Sequence, residues 1–325
     1  MGGPVKADRR HSRLGAPRGP SALFDEGRWL HHGRVDLSDI GAAPSSARTR
    51  GVEAGPARAV RHHRVRWTLL GVITVVIAFF LVSMILTFEG RARPVSVGDA
   101  VSHYHAGTSV DPGTRPVPGV YTYKGNGTDS LSLPPLSQAE GPTLPGTVEL
   151  RAKGCWNFRI DYSTNHWQSW TYCPGPAGLQ EAGGQVWQRW IVGPLTETNL
   201  SSLHCDPGAL ALPEVRSVGK SSSARCTGRS TQITGEVVSA GTSRFIGEST
   251  IVIGGHSVPA VHFLQHQTLS GAQVGIESDD LWFDATTGLP LENRRSIRVR
   301  TDTPFGSSTY TETGEFELRS LTPVT

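Results

Sequence analysis

Two short segments carry residue types and spacings that occur in catalytic motifs. Gly255-His256-Ser257-Val258-Pro259 places a serine where the nucleophile elbow of hydrolases has its reactive hydroxyl. That motif needs a closing glycine and a following helix, but Pro259 ends this segment and a strand pattern follows. Gly219-Lys220-Ser221 matches the end of a phosphate-binding loop, yet Glu214 stands in place of its first glycine. We therefore predict a plain β-turn, no nucleotide site, no catalytic residues and no enzyme activity.

Histidines and acidic residues are the next candidates for chemistry. His262 and His266 share one face of a predicted strand, but two such residues lie about 13 Å apart, too far to share a metal. The run His204-Cys205-Asp206 contains a cysteine that we assign to a disulfide, and Asp279-Asp280 is typical of a solvated charge pair. The sequence predicts exposed strand histidines, no metal site and no cofactor.

Tryptophan is concentrated in one part of the chain. Five of the eight tryptophans lie within residues 156–190, namely Trp156, Trp167, Trp170, Trp187 and Trp190. A core filled by aromatic side chains is the commoner explanation of such a cluster. The functional alternative is an apolar groove, in which these five residues bind a ligand. Trp167 favours that alternative, because its strand parity puts it on the face opposite Trp170.

The cysteines support an oxidising compartment. All four follow the apolar segment at residues 67–88, at positions Cys155, Cys173, Cys205 and Cys226. If residues 163–165 form a three-residue loop with Asn165 in the left-handed conformation, the flanking strands adopt one register. That register opposes three pairs: Trp156 and Tyr172, Phe158 and Trp170, and Cys155 and Cys173. It predicts the disulfide Cys155–Cys173, which leaves Cys205–Cys226 as the second.

An uncharged apolar segment runs from Trp67 to Phe88, and its 22 residues are enough for a helix to cross a hydrocarbon core of about 30 Å. Four arginines crowd its N-terminal flank, whereas only Arg91 and Arg93 follow closely. The positive-inside rule places residues 1–66 in the cytoplasm and the rest outside. The segment is too long, and too far along the chain, for a cleaved signal peptide. We predict a single-pass protein of the cell membrane with an extracytoplasmic C-terminal domain.

Composition divides the chain in the same way. Residues 1–66 carry a net charge of +7 and residues 89–325 one of −4, which together give the overall +3. The basic tail shows no sustained periodicity and is predicted to be mostly disordered, with one apolar island at Phe24–Ile40. Its charge favours contact with anionic lipid heads. Nucleic-acid binding is not expected, because the basic residues are dispersed and no binding motif frames them.

Past the apolar segment, the sequence indicates a stalk and then a β domain. Residues 89–117 contain three prolines among Gly, Ser and Thr, with Pro118 directly after them, and residues 118–325 alternate between apolar and polar positions. Turns at Gly254-Gly255, Thr287-Gly288 and residues 304–306 separate sequential hairpins. The predicted fold is mainly β, an antiparallel meander in a curved sheet or half-barrel. Residues 125–146 are predicted to be a long connection, and residues 177–185 a short helix.

Several short motifs carry a family resemblance. They are Gly119–Tyr123 (GVYTY), Gly154-Cys155, Trp170–Cys173 (WTYC), Leu281–Asp284 (LWFD), Gly288–Leu291 (GLPL) and Ser320–Pro323 (SLTP). Over roughly residues 118–323 the chain resembles an uncharacterised family of membrane-anchored extracytoplasmic proteins of high-GC bacteria. The LWFD–GLPL hairpin is also similar to one in the periplasmic lipoprotein carriers and their sigma-factor-regulator relatives. That resemblance implies a half-barrel that holds lipid or peptide in its concavity. The lipoprotein branch also requires a lipidated cysteine, which has no counterpart here.

The sequence thus predicts a non-catalytic extracytoplasmic protein that binds an apolar or lipid-like ligand at the membrane. The alternative is a cell-envelope protein that contacts other proteins or acts as a sensor. An enzyme is the third hypothesis, and converging polar side chains in a cleft would favour it.

Overall fold

The computed structural model describes residues 59–89, 91–104, 113–192, 195–303 and 306–325, and within the first helix it describes side chains for residues 67–82. The helices are α1 (Ala59–Glu89) and α2 (Val97–His103), with a 3-10 turn at Ala152–Gly154. The strands are β1 (Gly119–Ser132), β2 (Pro135–Glu140), β3 (Thr143–Leu150), β4 (Trp156–Ser163), β5 (His166–Gly175), β6 (Gly178–Val192), β7 (Leu195–Cys205), β8 (Leu210–Pro213), β9 (Ser221–Ser230), β10 (Val237–Ile253), β11 (His256–Gly271), β12 (Val274–Asp284), β13 (Pro290–Thr303) and β14 (Gly306–Leu318).

The predictions for the N-terminal part of the chain concern residues that the structure describes only in part. The apolar island Phe24–Ile40 lies outside them, as does the tail up to residue 58. Helix α1 contains all of residues 67–88, the predicted membrane segment. Among the residues that the structure describes, no helix combines the length and the apolar character needed to cross a membrane. The side chains of residues 83–88 are not among those described, and the membrane span stays a prediction.

The strands form one antiparallel sheet that closes on itself. Neighbouring strands follow the order β14, β13, β12, β11, β10, β9, β7, β6, β5, β4, β3, β1, β2, and β1 also pairs with β14. The predicted mainly β, antiparallel fold is confirmed, with 66% of the residues in strands. The sheet goes beyond a half-barrel, because the pairing of β1 with β14 makes it a closed barrel.

Strand β1 makes closure possible by changing partners along one edge. Residues 119–124 pair with β3 and residues 127–132 pair with β2, while the other edge pairs with β14. Gly125 and Gly127 lie at this change, and a Cβ at either would collide with backbone oxygens of β14. Glycine therefore permits the close approach of strands at the seam.

The hairpin of β4 and β5 confirms the predicted register over most of its length. Trp156 pairs with Tyr172 and Phe158 with Trp170. Near the tip the register shifts, and Ser163 pairs with His166. The three-residue loop is therefore wrong: a bulge shortens it to two residues, and Asn165 does not take a positive φ.

Of the other local predictions, some are confirmed and some are wrong. The Gly254-Gly255 turn is confirmed, with both residues at positive φ, and it joins β10 to β11. The turn at Thr287-Gly288 joins β12 to β13, whereas residues 304 and 305 lie outside the described chain. The helix at 177–185 is wrong, since these residues belong to β6, whose neighbours supply a ladder on both edges. Residues 125–146 are strand for most of their length rather than a connection, and the predicted stalk contains α2.

The barrel has two different ends. The C-terminal ends of β1, β6, β9, β11 and β13 lie at one end of the barrel, here called the open end. The opposite end, here called the closed end, holds the largest fully buried side chains, among them Trp156, Tyr121, Tyr123, Phe158 and Phe263. Alternate residues of each strand face inward, so the sheet surrounds an apolar core at the closed end and a cavity beyond it.

Candidate ligand-binding cavity

The barrel encloses a cavity of about 830 Å³, within the size range of small-molecule sites. Its exposed lining residues include Leu133, Glu197 and Thr303, which all lie near connections at the open end. Lining residues toward the other end, such as Phe283 and Phe316, are buried. The cavity therefore opens at one end only of the described barrel.

Aromatic rings form the floor of the cavity. The ring centroids of Phe158 and Trp170 are 5.9 Å apart, and Tyr172 meets Phe283 edge-on at the same distance. Phe316 also lines the cavity and packs toward Phe158 at 6.2 Å. Contacts of this kind stabilise a core beyond simple burial, so the floor is rigid and apolar.

The five predicted ligand-binding tryptophans fall into three environments. Trp170 and Trp190 line the cavity. Trp156 is fully buried in the closed end, with its ring 4.6 Å from that of Tyr172. Trp167 and Trp187 stack on each other at 6.4 Å on the outer face, away from the cavity. Strand alternation causes this division, and a ligand role for any of the five stays a prediction.

A band of polar side chains, here called the polar belt, crosses the cavity wall above the floor. Its members are Gln168, Glu277, Asp279, Arg295 and Glu312. Arg295 Nη2 donates to Glu277 Oε1 at 2.7 Å, and Arg295 Nη1 donates to Gln168 Oε1. The carboxylates of Asp279 and Glu312 lie 3.8 and 3.7 Å from Arg295 Nε. One guanidinium group thus lies within ion-pair distance of three carboxyl groups.

Burial and charge set the protonation of the belt. Burial raises the pKa of Asp279 well above its usual range, against the opposing charge of Arg295. Burial also acts to raise the pKa of Glu312, but the charges of Arg295 and His166 outweigh it and hold that pKa below its usual range. The two carboxyl groups are thus shifted in opposite directions, Asp279 toward its protonated form and Glu312 toward its ionised form.

Glu181 is a further carboxyl group in the cavity wall. Burial raises its pKa to about 8, and neighbouring Glu277 adds to the shift. Its carboxylate oxygen lies 3.8 Å from the sulfur of Cys205, which is in a disulfide with Cys226 and has no proton to donate. Among the described residues, no donor is bonded to this carboxyl group, so it faces the cavity without a partner.

A second buried cluster lies beside the belt. His166 Nδ1 is 2.8 Å from Glu140 Oε1 and 3.7 Å from Asp129 Oδ2, and all three side chains are buried. Their ligand atoms lie within 4.8 Å of one another, close enough to be considered for a metal ion. Gln138 also donates to Asp129, so the cluster forms a connected hydrogen-bond network. Burial raises the pKa of Asp129 to about 7, against the charge of His166, which suits proton sharing within the network.

A slot interrupts the barrel wall at the open end. Strand β2 pairs with β1, and β6 pairs with β5 only as far as Gln188, so β2 and the end of β6 face each other without a ladder among the described residues. The β4–β5 turn lies at the bottom of this slot. Its Asn165 accepts two hydrogen bonds from Arg189 of β6 and donates one to Gln138 of β2.

The same turn holds the segment that leads from α1. Thr164 N donates to the Arg93 carbonyl at 2.8 Å, and Arg93 N donates to Thr164 Oγ1 at 3.0 Å. Three residues separate Arg93 from Glu89, the end of α1, and the four Cα–Cα steps between them span at most about 14 Å. The end of α1 is therefore held within that distance of the slot.

The other chemical candidates from the sequence are dispersed. His262 and His266 both face outward: His262 stacks on Trp282 at 4.1 Å and pairs with Asp280, while His266 meets Ser278 at 2.8 Å. The interpretation of Asp279-Asp280 as a solvated pair is wrong for Asp279, which faces inward and is buried. Both predicted disulfides, Cys155–Cys173 and Cys205–Cys226, are present.

Sequence reasoning missed the polar belt and Glu181. The available signal was strand parity: Arg295 alternates with exposed residues of β13 and shares its face with Asn293, Ile297 and Val299. A charged residue in phase with apolar ones indicates a buried, paired charge.

Comparison with known proteins does not show a family for this chain. No protein-family model matches the chain, and no curated protein matches it. The chain is similar to the hypothetical lipoprotein YmcC from Escherichia coli (K12), a solved structure, over 70% of its own length and 98% of that chain. The two sequences are 14% identical and the TM-score is 0.30, too low to support any argument. The predicted family resemblance stays a prediction.

Proposed function

We propose that this chain is a membrane-anchored extracytoplasmic binding protein that holds an apolar or lipid-like ligand inside its barrel without altering it. The observation that supports this most is the cavity of about 830 Å³, with an aromatic floor and one open end. Burying an acyl chain against such a floor would contribute about 0.8 kcal/mol per methylene. The disulfides suit a compartment outside the cytoplasm.

The position of the open end supports delivery from a membrane. The Arg93–Thr164 contact holds the end of α1 beside the slot between β2 and β6. If α1 spans the bilayer as the sequence predicts, the slot and the open end lie next to the membrane surface. A lipid would then travel a short distance from the bilayer to the cavity.

An interaction or sensing protein is the second candidate. The outer edge of β2 and the end of β6 are unpaired among the described residues, and such edges can accept a strand from a partner. An enzyme is the third candidate, because polar side chains do converge in the cavity. Arg295 donates hydrogen bonds to both Glu277 and Gln168, which favours a structural role for the belt over a catalytic one.

Lipid analysis of the purified full-length protein tests the proposal. Val186 lines the cavity, and its neighbour Gln185 is exposed on the outer face of the same strand. Val186→Trp should obstruct the cavity with an indole ring, whereas Gln185→Trp adds the same ring outside it. Native mass spectrometry should show a bound lipid with the wild type and Gln185→Trp, and a loss of it with Val186→Trp. Equal lipid in all three folded proteins would contradict ligand binding in the barrel.

A topology reporter tests the anchoring part of the proposal. The arginine asymmetry around residues 67–88 predicts a cytoplasmic N-terminus. A reporter that is active only outside the cytoplasm should work when fused after Thr325 and fail when fused before Met1. The opposite pattern would place the barrel in the cytoplasm and overturn the proposed location.

A further inference from the structure

The unpartnered carboxyl group of Glu181 gives the cavity a specific polar contact point. Tyr172 of β5 pairs with Glu181 in the sheet, and both side chains line the cavity near its floor. The sulfurs of Cys205 and Cys226 lie near the carboxylate, but they form a disulfide and cannot donate a hydrogen bond. Glu181 is half-buried, and a carboxyl group withdrawn from water without a donor from the protein carries a free-energy cost. A ligand that brings a donor to this point would remove that cost.

The charges around the cavity oppose an anionic ligand. Five carboxyl groups line it among the described residues, against two arginines, and one of these, Arg229, is exposed at the open end. The other, Arg295, is held by Glu277 and Gln168 and faces two further carboxyl groups. A ligand carboxylate or phosphate would have to displace Glu277 from Arg295 and would then face the carboxylates of Glu277 and Glu312.

Uncharged polar groups in the wall complete the site. Gln265 is only 6% exposed and lines the cavity, and its side-chain amide makes no hydrogen bond to the side chains of the described residues. Its amide carbonyl offers a second acceptor, and it lies on the strand that pairs with Asp279 of the belt. The apolar floor and these acceptors together suit an amphiphile, with a chain for the aromatic rings and a donor-bearing head for the carboxyl and amide oxygens.

We infer that the cavity selects amphiphiles whose head group donates hydrogen bonds and carries no negative charge, and that Glu181 is the residue that recognises a cationic head. This inference rests on the proposed function and names its ligand class: long-chain amines first, hydroxylated (glycoside) heads second, and carboxylates and phosphates excluded. Glu181 is a specificity-determining residue in this scheme, because a cation beside it favours the ionised carboxylate and gains a charge-assisted hydrogen bond.

Competition with an uncharged fluorescent probe tests the inference. The full-length protein in phosphatidylcholine nanodiscs is loaded with N-phenyl-1-naphthylamine, and the probe is displaced by n-decylamine, n-decyl glucoside or decanoate. The Val186→Trp variant, whose cavity is obstructed, and nanodiscs without the protein together give the baseline for partition into the lipid. Decylamine should displace the cavity-bound probe at a concentration at least about tenfold lower than decanoate, the usual gain from a charged hydrogen bond.

Two variants separate the role of Glu181 from a general effect of charge. Glu181→Gln should weaken displacement by decylamine about tenfold and leave decyl glucoside within about twofold. Glu214→Gln, which removes an exposed carboxylate outside the cavity, should change neither. Equal or better displacement by decanoate, or a Glu181→Gln variant that responds like the wild type, would overturn the inference while ligand binding itself stands. A probe signal in the wild type no larger than in Val186→Trp would overturn the proposed function and the inference together.

Discussion

Arg295 Nη2 donates a hydrogen bond to Glu277 Oε1 at 2.7 Å. Glu277 lies on the neighbouring strand, diagonal to Arg295, and both side chains face the barrel interior. The residue directly opposite Arg295 in the register is Asp279, and Glu312 approaches from the strand on the other side. A single buried cation therefore balances carboxyl groups from both neighbouring strands. Because β12 contributes two of these partners and β14 contributes one, the network also links three strands of the barrel in one register.

Arg295→Met should destabilise the barrel strongly. Removing one partner from a buried ionic network leaves the other charges uncompensated and typically costs about 3–5 kcal/mol. Arg298→Met is the matched control, because Arg298 lies on the same strand but is exposed, and its loss should change stability by less than about 0.5 kcal/mol. Unfolding of the two variants, followed by near-ultraviolet circular dichroism, measures the difference. Similar stabilities would show that the belt does not support the fold.

Glu181→Gln should make the stability of the fold less sensitive to rising pH. The pKa of Glu181 is about 8 in the folded protein against an ordinary value of 4.5, so the folded state keeps a proton that the unfolded state releases between these values. Wild-type stability therefore falls as pH rises from about 4.5 to 8, by at most about 5 kcal/mol from this group. Glutamine does not titrate, so the advantage of the variant over the wild type should grow between pH 5 and 8.5. An advantage that does not change with pH would contradict the buried, unpartnered position of Glu181.

The two disulfides should be local and separately removable. Cys155–Cys173 joins residues 18 apart and Cys205–Cys226 residues 21 apart, so each closes a short loop. Replacing either pair by serine should cost about 2–4 kcal/mol. Peptide mapping without reduction should recover these two links, and a link from Cys155 to Cys205 or Cys226 would be incompatible with the hairpin register.

The sequence predicts the pairing of neighbouring strands better than the closure of the sheet into a barrel. The β4–β5 register follows from residue types, because a single pairing opposes both the aromatics and the cysteines. The β1–β14 seam joins residues such as Asp129 and Glu312, which are far apart in the chain. Local alternation carries no information about such a partner. The prediction therefore stopped at a half-barrel.

The candidate site could likewise be predicted only where strand alternation determines it. The inward position of Trp170 follows from strand parity, as does the outward position of Trp167. Arg295, Glu277 and Glu181 lie on three different strands, and only the closed barrel brings them around one cavity. Their sequence neighbourhoods show isolated charges within strands, and the partner of each charge depends on tertiary structure.

The two ends of the barrel should lie at different distances from a membrane that contains α1. The turn bearing Thr164 is bonded to Arg93, and the linker from Glu89 spans at most about 14 Å. Thr198 is exposed at the open end, and Val252 is exposed at the closed end. The length of a strand separates the ends, at about 3.3 Å per residue.

Labelled cysteines at these two positions measure that difference. A fluorophore on Thr198→Cys should be quenched by a lipid that carries a nitroxide on its head group, and a fluorophore on Val252→Cys should be quenched much less. The physical reason is the short reach of nitroxide quenching compared with the length of the barrel. A soluble nitroxide serves as the control, because it should quench both exposed positions to a similar extent. Stronger lipid-dependent quenching at Val252→Cys would place the closed end toward the membrane, and a ligand could then not pass directly from the bilayer through the slot between β2 and β6.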